Sequence, residues 1–265
     1  MGWKNLNNLE FKDMKKILIT GASRGIGFAL ATKIADSENA NFHLIARNEA
    51  RLLELKAKLE SQGSIANIYP CDVSEKNSFQ NTIKLAASKA GNFDIVVLNA
   101  GISENKWIME NNYSESFERI YRVNVFSIAY ALEVLPSLMA EKGIIAIVSS
   151  LADVRGFLSS SAYCSSKSAV TRLSEAARIE LKRIGIDVLT IKPGFVRTDM
   201  TAKNRFPMPF LMEPGKAADI IWRGIINRKK IIAFPFPMVL LTKFIALLPN
   251  WLFDFLSSFY KQNGV

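Results

Sequence analysis

Seven short runs rich in Ile, Val, Leu and Ala punctuate the chain, at residues 15–20, 41–46, 65–73, 94–98, 143–148, 186–192 and 230–234. Apolar runs of this length, closed by turn-forming residues, read as buried strands. Longer segments at 28–37, 49–61, 113–141, 162–185 and 213–228 read as helices. Strands alternating with helices predict an α/β fold. Residues 1–14 form a polar leader. Residues 200–212 depart from regular structure, with a Phe-Pro-Met-Pro-Phe-Leu-Met run at 206–212 whose large apolar groups a solvent loop would not need. They read as an apolar substrate lid, since Met fills irregular gaps.

The last stretch changes character. Residues 231–260 carry only Lys243 and Asp254 as charges, and prolines at 235, 237 and 249 interrupt them. No uncharged run reaches the roughly 18–20 residues of a membrane span, so the pattern predicts two short apolar helices divided at Pro249. These could serve as a lid over the substrate mouth, a subunit interface or a contact with a membrane surface. No repeat or linker marks a second domain, which leaves one domain over 15–234 with residues 235–265 as its apolar extension.

Composition narrows the chemistry. At 265 residues, 49% hydrophobic and 22% charged, the chain can bury one substantial core. Two cysteines, Cys71 and Cys164, cannot build a disulfide framework, and the polar N-terminus shows no signal peptide, so a cytoplasmic setting is expected. With His43 as the single histidine, no metal site is predicted and histidine acid–base chemistry is disfavoured. The net charge of +10 is uneven: residues 171–265 carry 15 basic and 7 acidic side chains against 19 and 17 before them. Without zinc-finger spacing, an RNA-binding aromatic signature or a basic tail, the excess does not read as nucleic-acid binding. A phosphorylated cofactor, an acidic carrier protein or an anionic membrane fits it better.

Three stretches carry candidate chemistry. The first run ends at Gly21-Ala-Ser23-Arg24-Gly25-Ile26-Gly27 and a helix follows. A strand, a glycine loop and a helix start form a phosphate cradle, because glycines admit the ligand close to the backbone and free N–H groups hold the anion. The second run ends at Arg47, where an NAD site usually carries an acidic residue for the ribose 2′-hydroxyl. With Arg24 this points to the 2′-phosphate of NADP(H), since guanidinium groups fork onto phosphate oxygens. The third stretch runs from Ser149 and Ser150, at the end of an apolar run, to Tyr163 and Lys167. Tyr and Lys four apart share one helix face, and an ammonium beside a phenol is expected to lower its pKa into a useful range.

Together, the Gly-x-x-x-Gly-x-Gly loop, a strand-ending Ser and Tyr-x-x-x-Lys resemble the short-chain dehydrogenase/reductase family, over roughly residues 15–234. The resemblance implies a Rossmann-like, doubly wound parallel sheet of order 3-2-1-4-5-6-7 with its site at the carboxyl ends of the strands. It implies that Tyr163 protonates the developing alkoxide, Ser150 hydrogen-bonds the carbonyl oxygen, Lys167 binds the nicotinamide ribose, and Asn124 completes a proton relay. Asp72 resembles the adenine-contacting acid, and equally reads as a helix N-terminal acid. Asn99-Ala100-Gly101 would let the ribose pass beside the sheet. Pro193, Gly194 and Thr198 would flank the nicotinamide carboxamide.

The implied reaction is hydride transfer between NADP(H) and a carbonyl carbon. The apolar lid, Trp107-Ile108-Met109 and Phe157-Leu158 favour a lipophilic small-molecule carbonyl or alcohol. A 3-ketoacyl carrier-protein reductase is the rival enzyme, its acidic carrier suited to a basic surface. A non-catalytic NADPH-binding sensor or scaffold is the rival outside enzymes; the full Ser150, Tyr163, Lys167 and Asn124 set argues against it. A homo-oligomer and a peripheral membrane contact through residues 236–260 complete the expectations.

Overall fold

The computed structural model describes residues 14–204 and 206–259, so the polar leader at 1–13 and the end of the apolar extension at 260–265 lie outside the described residues. All seven apolar runs are strands: β1 (Lys15–Thr20), β2 (Ala40–Ala46), β3 (Ile65–Pro70), β4 (Phe93–Leu98), β5 (Met139–Val148), β6 (Asp187–Pro193) and β7 (Ile231–Phe234). They form one parallel sheet in the order β3-β2-β1-β4-β5-β6-β7.

Parallel strands need crossovers, and the helices that supply them cover both faces. Successive strand residues point to opposite sides. Ile17 and Ile19 of β1 therefore join one core with helices α1 (Gly25–Ala35) and α2 (Glu49–Ser61), to which α7 (Pro214–Ile226) contributes Ile221 and Ile225. Leu18 between them joins the other core, with α3 (Lys76–Ala90) through Phe79 and Ile83 and α6 (Ser161–Lys182) through Val170 and Ala177.

The long helix expected over 113–141 is not continuous. It runs as α4 (Tyr113–Tyr121), a π-helical segment Arg122–Phe126, α5 (Ser127–Val134) and a 3-10 turn Leu135–Leu138, after which β5 begins. Pro136 sits at the start of that 3-10 turn, where a missing N–H is tolerated. The strand starts earlier than expected because Met139 pairs with Phe93, ahead of a bulge that returns to register at Ile144 opposite Ile95. The third strand stops at Pro70, short of the expected 73, and the next residues turn toward the sheet's carboxyl edge.

After β7 come α8 (Phe236–Leu247) and α9 (Asn250–Ser258), the two apolar helices expected around Pro249, bent by 118° from one another. No single helix among the described residues is long and apolar enough to cross a membrane. Thr242 is the one residue buried in the pair. Because β7 is parallel to its neighbours, α8 starts at the carboxyl edge of the sheet, beside the ends of β5 and β6. Arg228, Lys229 and Lys230 precede β7 and so lie at the opposite edge. They do not border the apolar helices, although only a few residues separate them in the sequence.

Candidate active site

All the candidate catalytic and cofactor-binding residues except Gly27 and Asn124 line one cleft of about 620 Å³ along the carboxyl ends of the strands. At its centre is the loop after β1. Gly21 and Gly25 have φ of 67° and 59°, a region side-chain-bearing residues avoid. Gly27 packs so closely under the loop that a Cβ there would lie 2.5 Å from the Gly21 carbonyl. Asn99 pins the loop from β4, its Nδ2 donating to the Thr20 and Gly21 carbonyls at 3.0 and 3.2 Å. No acidic side chain occupies the first turn of α1, and Arg24 at its N-cap makes no capping bond. The first amides of the helix thus face the cleft ready for an anion. These residues fit a dinucleotide pyrophosphate.

Arginines gather at the far end of the cleft. Arg47, at the end of β2, lies 3.5 Å from Asp72 Oδ2, while Asp72 Oδ1 accepts from the Ser74 amide at 3.0 Å. Asp72 therefore lines the cleft and also organises the turn into α3, so both readings of it describe the same side chain. Ser74 and Arg47 hold its carboxyl below the usual range against the opposing effect of burial. Two charged residues had been missed. Arg51, in the first turn of α2, and Arg24 both reach Asp199 Oδ2, at 3.0 and 3.3 Å. The i, i+4 spacing of Arg47 and Arg51 was the available signal for the first, but nothing local points to Asp199.

At the other end, Ser150, two residues past the end of β5, caps the 3-10 turn Leu151–Val154, its Oγ accepting from the Ala152 amide at 3.1 Å. Tyr163 and Lys167 lie on one face of α6. Lys167 is buried and donates from Nζ to the Val148 carbonyl at 2.9 Å, with Nζ 5.8 Å from the Tyr163 ring centre. Burial lowers the Lys167 pKa to about 8. Burial also pushes the Tyr163 phenol up, with the Ser150 hydroxyl pulling it the other way. The expected lowering of the phenol by the ammonium is thus not the dominant effect, because the ammonium is aimed at the strand end rather than at the phenol.

Asn124 lies in the π-helical segment, fully buried. Its Oδ1 accepts from the Ile102 amide at 2.8 Å; its Nδ2 donates to the Ile102 carbonyl and Ser166 Oγ, each at 3.0 Å. The amide clamps the chain after Gly101 against α6, and the π segment is the local distortion that turns it inward. Thr198 is held by its own loop, its amide donating to Thr201 Oγ1 at 2.9 Å. Gly194 donates to the Phe234 carbonyl at 2.7 Å, and a Cβ there would meet Pro235 and Met238.

A second cavity of about 440 Å³ meets the cleft at Ser150, Tyr163, Gly194, Met200 and Thr201, which line both. Its walls are Phe157 and Leu158, Phe195, Phe206 of the expected lid, Met238 of α8, Leu248 at the bend, and Phe253 and Leu256 of α9. Only the first part of the lid faces it, since Phe210 is exposed. Trp107, Ile108 and Met109 are not in its wall, and Ile108 and Met109 lie in solvent. The apolar helices, not that loop, supply the greasy surface.

The sequence model of the short chain dehydrogenase family matches residues 15–208. An uncharacterized oxidoreductase of Myxococcus xanthus is 34% identical over 242 residues, 89% of this chain and 94% of that protein. A fatty acyl-CoA reductase of Acinetobacter baylyi is 33% identical over 223 residues, 83% and 75% of the two chains. Among solved structures, a short chain dehydrogenase/reductase of Burkholderia phymatum in complex with NAD superposes with a TM-score of 0.80 at 22% identity, covering 88% of this chain and 93% of that one. The chain belongs to the short chain dehydrogenase family and is an oxidoreductase of that type.

Proposed function

We propose that the protein transfers hydride between NADP(H) and the carbonyl carbon of a lipophilic substrate, a long acyl-chain aldehyde or ketone being the best fit. The observation that carries this reading is the meeting of a polar cleft and an apolar cavity at Ser150 and Tyr163. A carbonyl at that junction would have its chain among Phe157, Phe195 and Phe253, and its oxygen between two hydroxyls. The fatty acyl-CoA reductase from Acinetobacter is consistent with a substrate of this kind.

Bound along the cleft, the reduced nicotinamide would supply the hydride. Ser150 already accepts a bond from the Ala152 amide, which leaves its own proton to donate to the carbonyl oxygen. The raised Tyr163 phenol keeps its proton at neutral pH and can give it to the oxygen as negative charge develops there. Lys167, still mostly protonated below about pH 8, would hold the cofactor ribose and stand behind the phenol. Asn124 would act by fixing the wall after Gly101 and the start of α6. Arg24, Arg47 and Arg51 together favour the 2′-phosphate of NADP(H) over the bare hydroxyl of NAD.

The exposed side of α8 and α9, with Phe244, Leu247, Trp251 and Phe255 outward, is proposed to lie on a lipid surface. Leu256 is half exposed and also lines the cavity, so that surface is continuous with the mouth of the site.

The central test is turnover. NADPH oxidation with decanal is expected for the wild type. Tyr163→Phe should lower kcat by about 100- to 10,000-fold, the range for loss of a positioned acid, while NADPH binding by fluorescence stays unchanged. An active Tyr163→Phe protein would refute the mechanism, and tight NADPH binding without turnover across aldehydes and ketones would favour a non-catalytic role.

A further inference from the structure

Next to the catalytic groups, a polar cluster whose Asp153, Thr171 and Lys192 line neither cavity joins three elements. Asp153 is the third residue of the 3-10 turn that Ser150 caps, and its side chain is 3% exposed. Its Oδ2 lies 2.8 Å from Nζ of Lys192, the residue before Pro193 in β6, and accepts from Thr171 Oγ1 of α6 at 2.5 Å. Because Thr171 gives its proton to the carboxylate, Ser149 has its own proton to share between Thr171 Oγ1 at 2.7 Å and the Lys167 carbonyl at 2.9 Å. Ser168 completes the clamp by donating to the Asp153 carbonyl at 2.6 Å.

A buried ammonium–carboxylate pair is a poor source of stability, because desolvating two charges offsets most of their attraction. What such a pair supplies is direction. Here one carboxylate oxygen ties the turn that carries Ser150 to the helix that carries Tyr163 and Lys167, and both to the strand leading into Pro193 and Gly194. Apolar packing alone would let the turn slide along the helix, and misplacing reacting groups by about 1 Å costs on the order of 100-fold in rate.

We propose that Asp153, balanced by Lys192, is a positioning residue that fixes the Ser150 turn against the Tyr163–Lys167 helix. The proposal rests on the catalytic roles given above for those three residues. A second consequence is electrical. Burial is the main cause of the raised Tyr163 phenol, with Ser150 opposing it and the Asp153 carboxylate adding to it, so neutralising that carboxylate while Lys192 keeps its charge should lower the phenol's titration as well as loosen the turn.

The test uses Asp153→Asn, which keeps an acceptor for Thr171, and the double variant Asp153→Asn with Lys192→Met, which removes both charges and so leaves none buried alone. Both are expected to bind NADPH as the wild type does. With decanal, kcat should fall by about 10- to 100-fold and KM should change little, and Lys192→Arg should keep most of the activity that Lys192→Met loses. The phenolate absorbance of Tyr163, taken as the difference from Tyr163→Phe in the NADP complex, should titrate at lower pH in Asp153→Asn and closer to the wild type in the double variant, where the lost ammonium offsets the lost carboxylate. A double variant with wild-type kcat, or an unshifted Tyr163 titration in folded Asp153→Asn, would overturn the proposal. The titration needs no carbonyl compound, so failure of the wild type to turn over decanal would count against the functional reading, while an unshifted titration in Asp153→Asn would count against the link between Asp153 and Tyr163.

Discussion

Replacing the arginines at the adenosine end of the cleft one at a time should raise the KM for NADPH and leave that for NADH nearly unchanged. Arg24, Arg47 and Arg51 have side chains 53%, 64% and 45% exposed. Their contacts with a phosphate are therefore made in a high effective dielectric, between the limits of about 1 and 4 kcal/mol for unit charges 4 Å apart. Taking about 1–1.5 kcal/mol for each guanidinium, single Ala variants should lose about 5- to 12-fold, and the triple variant on the order of 200- to 2,000-fold if the losses add. The loss should shrink as salt is raised, since these groups are wet. Asp199 sharpens the test. Its carboxylate occupies both Arg24 and Arg51, so Asp199→Asn should tighten NADPH without affecting NADH. Steady-state kinetics with both cofactors at two ionic strengths measure all of this. Equal losses for NADPH and NADH, or a wild type that prefers NADH, would refute the assignment of these arginines to the 2′-phosphate.

Lys167 should cost stability at neutral pH. Its pKa falls from 10.5 to about 8 on folding, so the unfolded chain binds more protons between those values and stability rises with pH across that window. The penalty is fully present below about pH 8 and is on the order of 3 kcal/mol. Urea melts should find Lys167→Met more stable than the wild type at pH 7, with the advantage fading toward pH 10.5. In the cavity wall, Phe253→Ala should raise KM for decanal more than for propanal, because the long chain loses a ring that packs edge-on against Phe157. Equal effects on the two aldehydes would place the chain elsewhere.

Sequence patterns revealed most of the sheet because each strand is a short apolar run buried on both sides, a property of consecutive residues. They failed at 113–141, where helical periodicity persists through Asn124 and Pro136 although the backbone changes pitch at one and ends at the other. They also hid the start of β5, since Ala140, Glu141 and Lys142 are not core residues and only Met139 finds a partner, in Phe93. The cluster proposed as the catalytic centre was legible for the same local reason: Ser150, Tyr163 and Lys167 lie within 18 residues. Arg51 and Asp199 meet across 148 residues and Asp153 and Lys192 across a sheet edge, and no spacing rule announces such pairs. Burial was the other hidden quantity. Four residues of helix bring Lys167 near Tyr163, but solvent exclusion at the strand ends determines which way each group titrates.

The extension at the end of the chain was legible as two apolar helices but not in its orientation, and the orientation changes what membrane binding should look like. Arg228, Lys229 and Lys230 are separated from Phe236 by the length of β7, roughly 13 Å of extended chain, more than a Debye length of about 8 Å at physiological salt. Arg228 is also committed to Asp187 and the Lys142 carbonyl. Within the helices themselves Lys243 and Asp254 cancel. Adhesion should therefore come from apolar burial, with phosphatidylcholine vesicles bound nearly as well as anionic ones and with little response to salt. Phe244, Leu247 and Trp251 are 63%, 83% and 71% exposed, so changing all three to Ser should leave the fold and NADPH binding intact. At about 1–2 kcal/mol for each side chain partly inserted into lipid, the triple variant should lose at least 100-fold in vesicle partitioning. Co-sedimentation at low and high salt reads both quantities. Binding that requires anionic lipid and vanishes with salt would refute the apolar account. A dimer that ignores vesicles and falls apart in the triple variant would assign the same surface to a second copy of the chain.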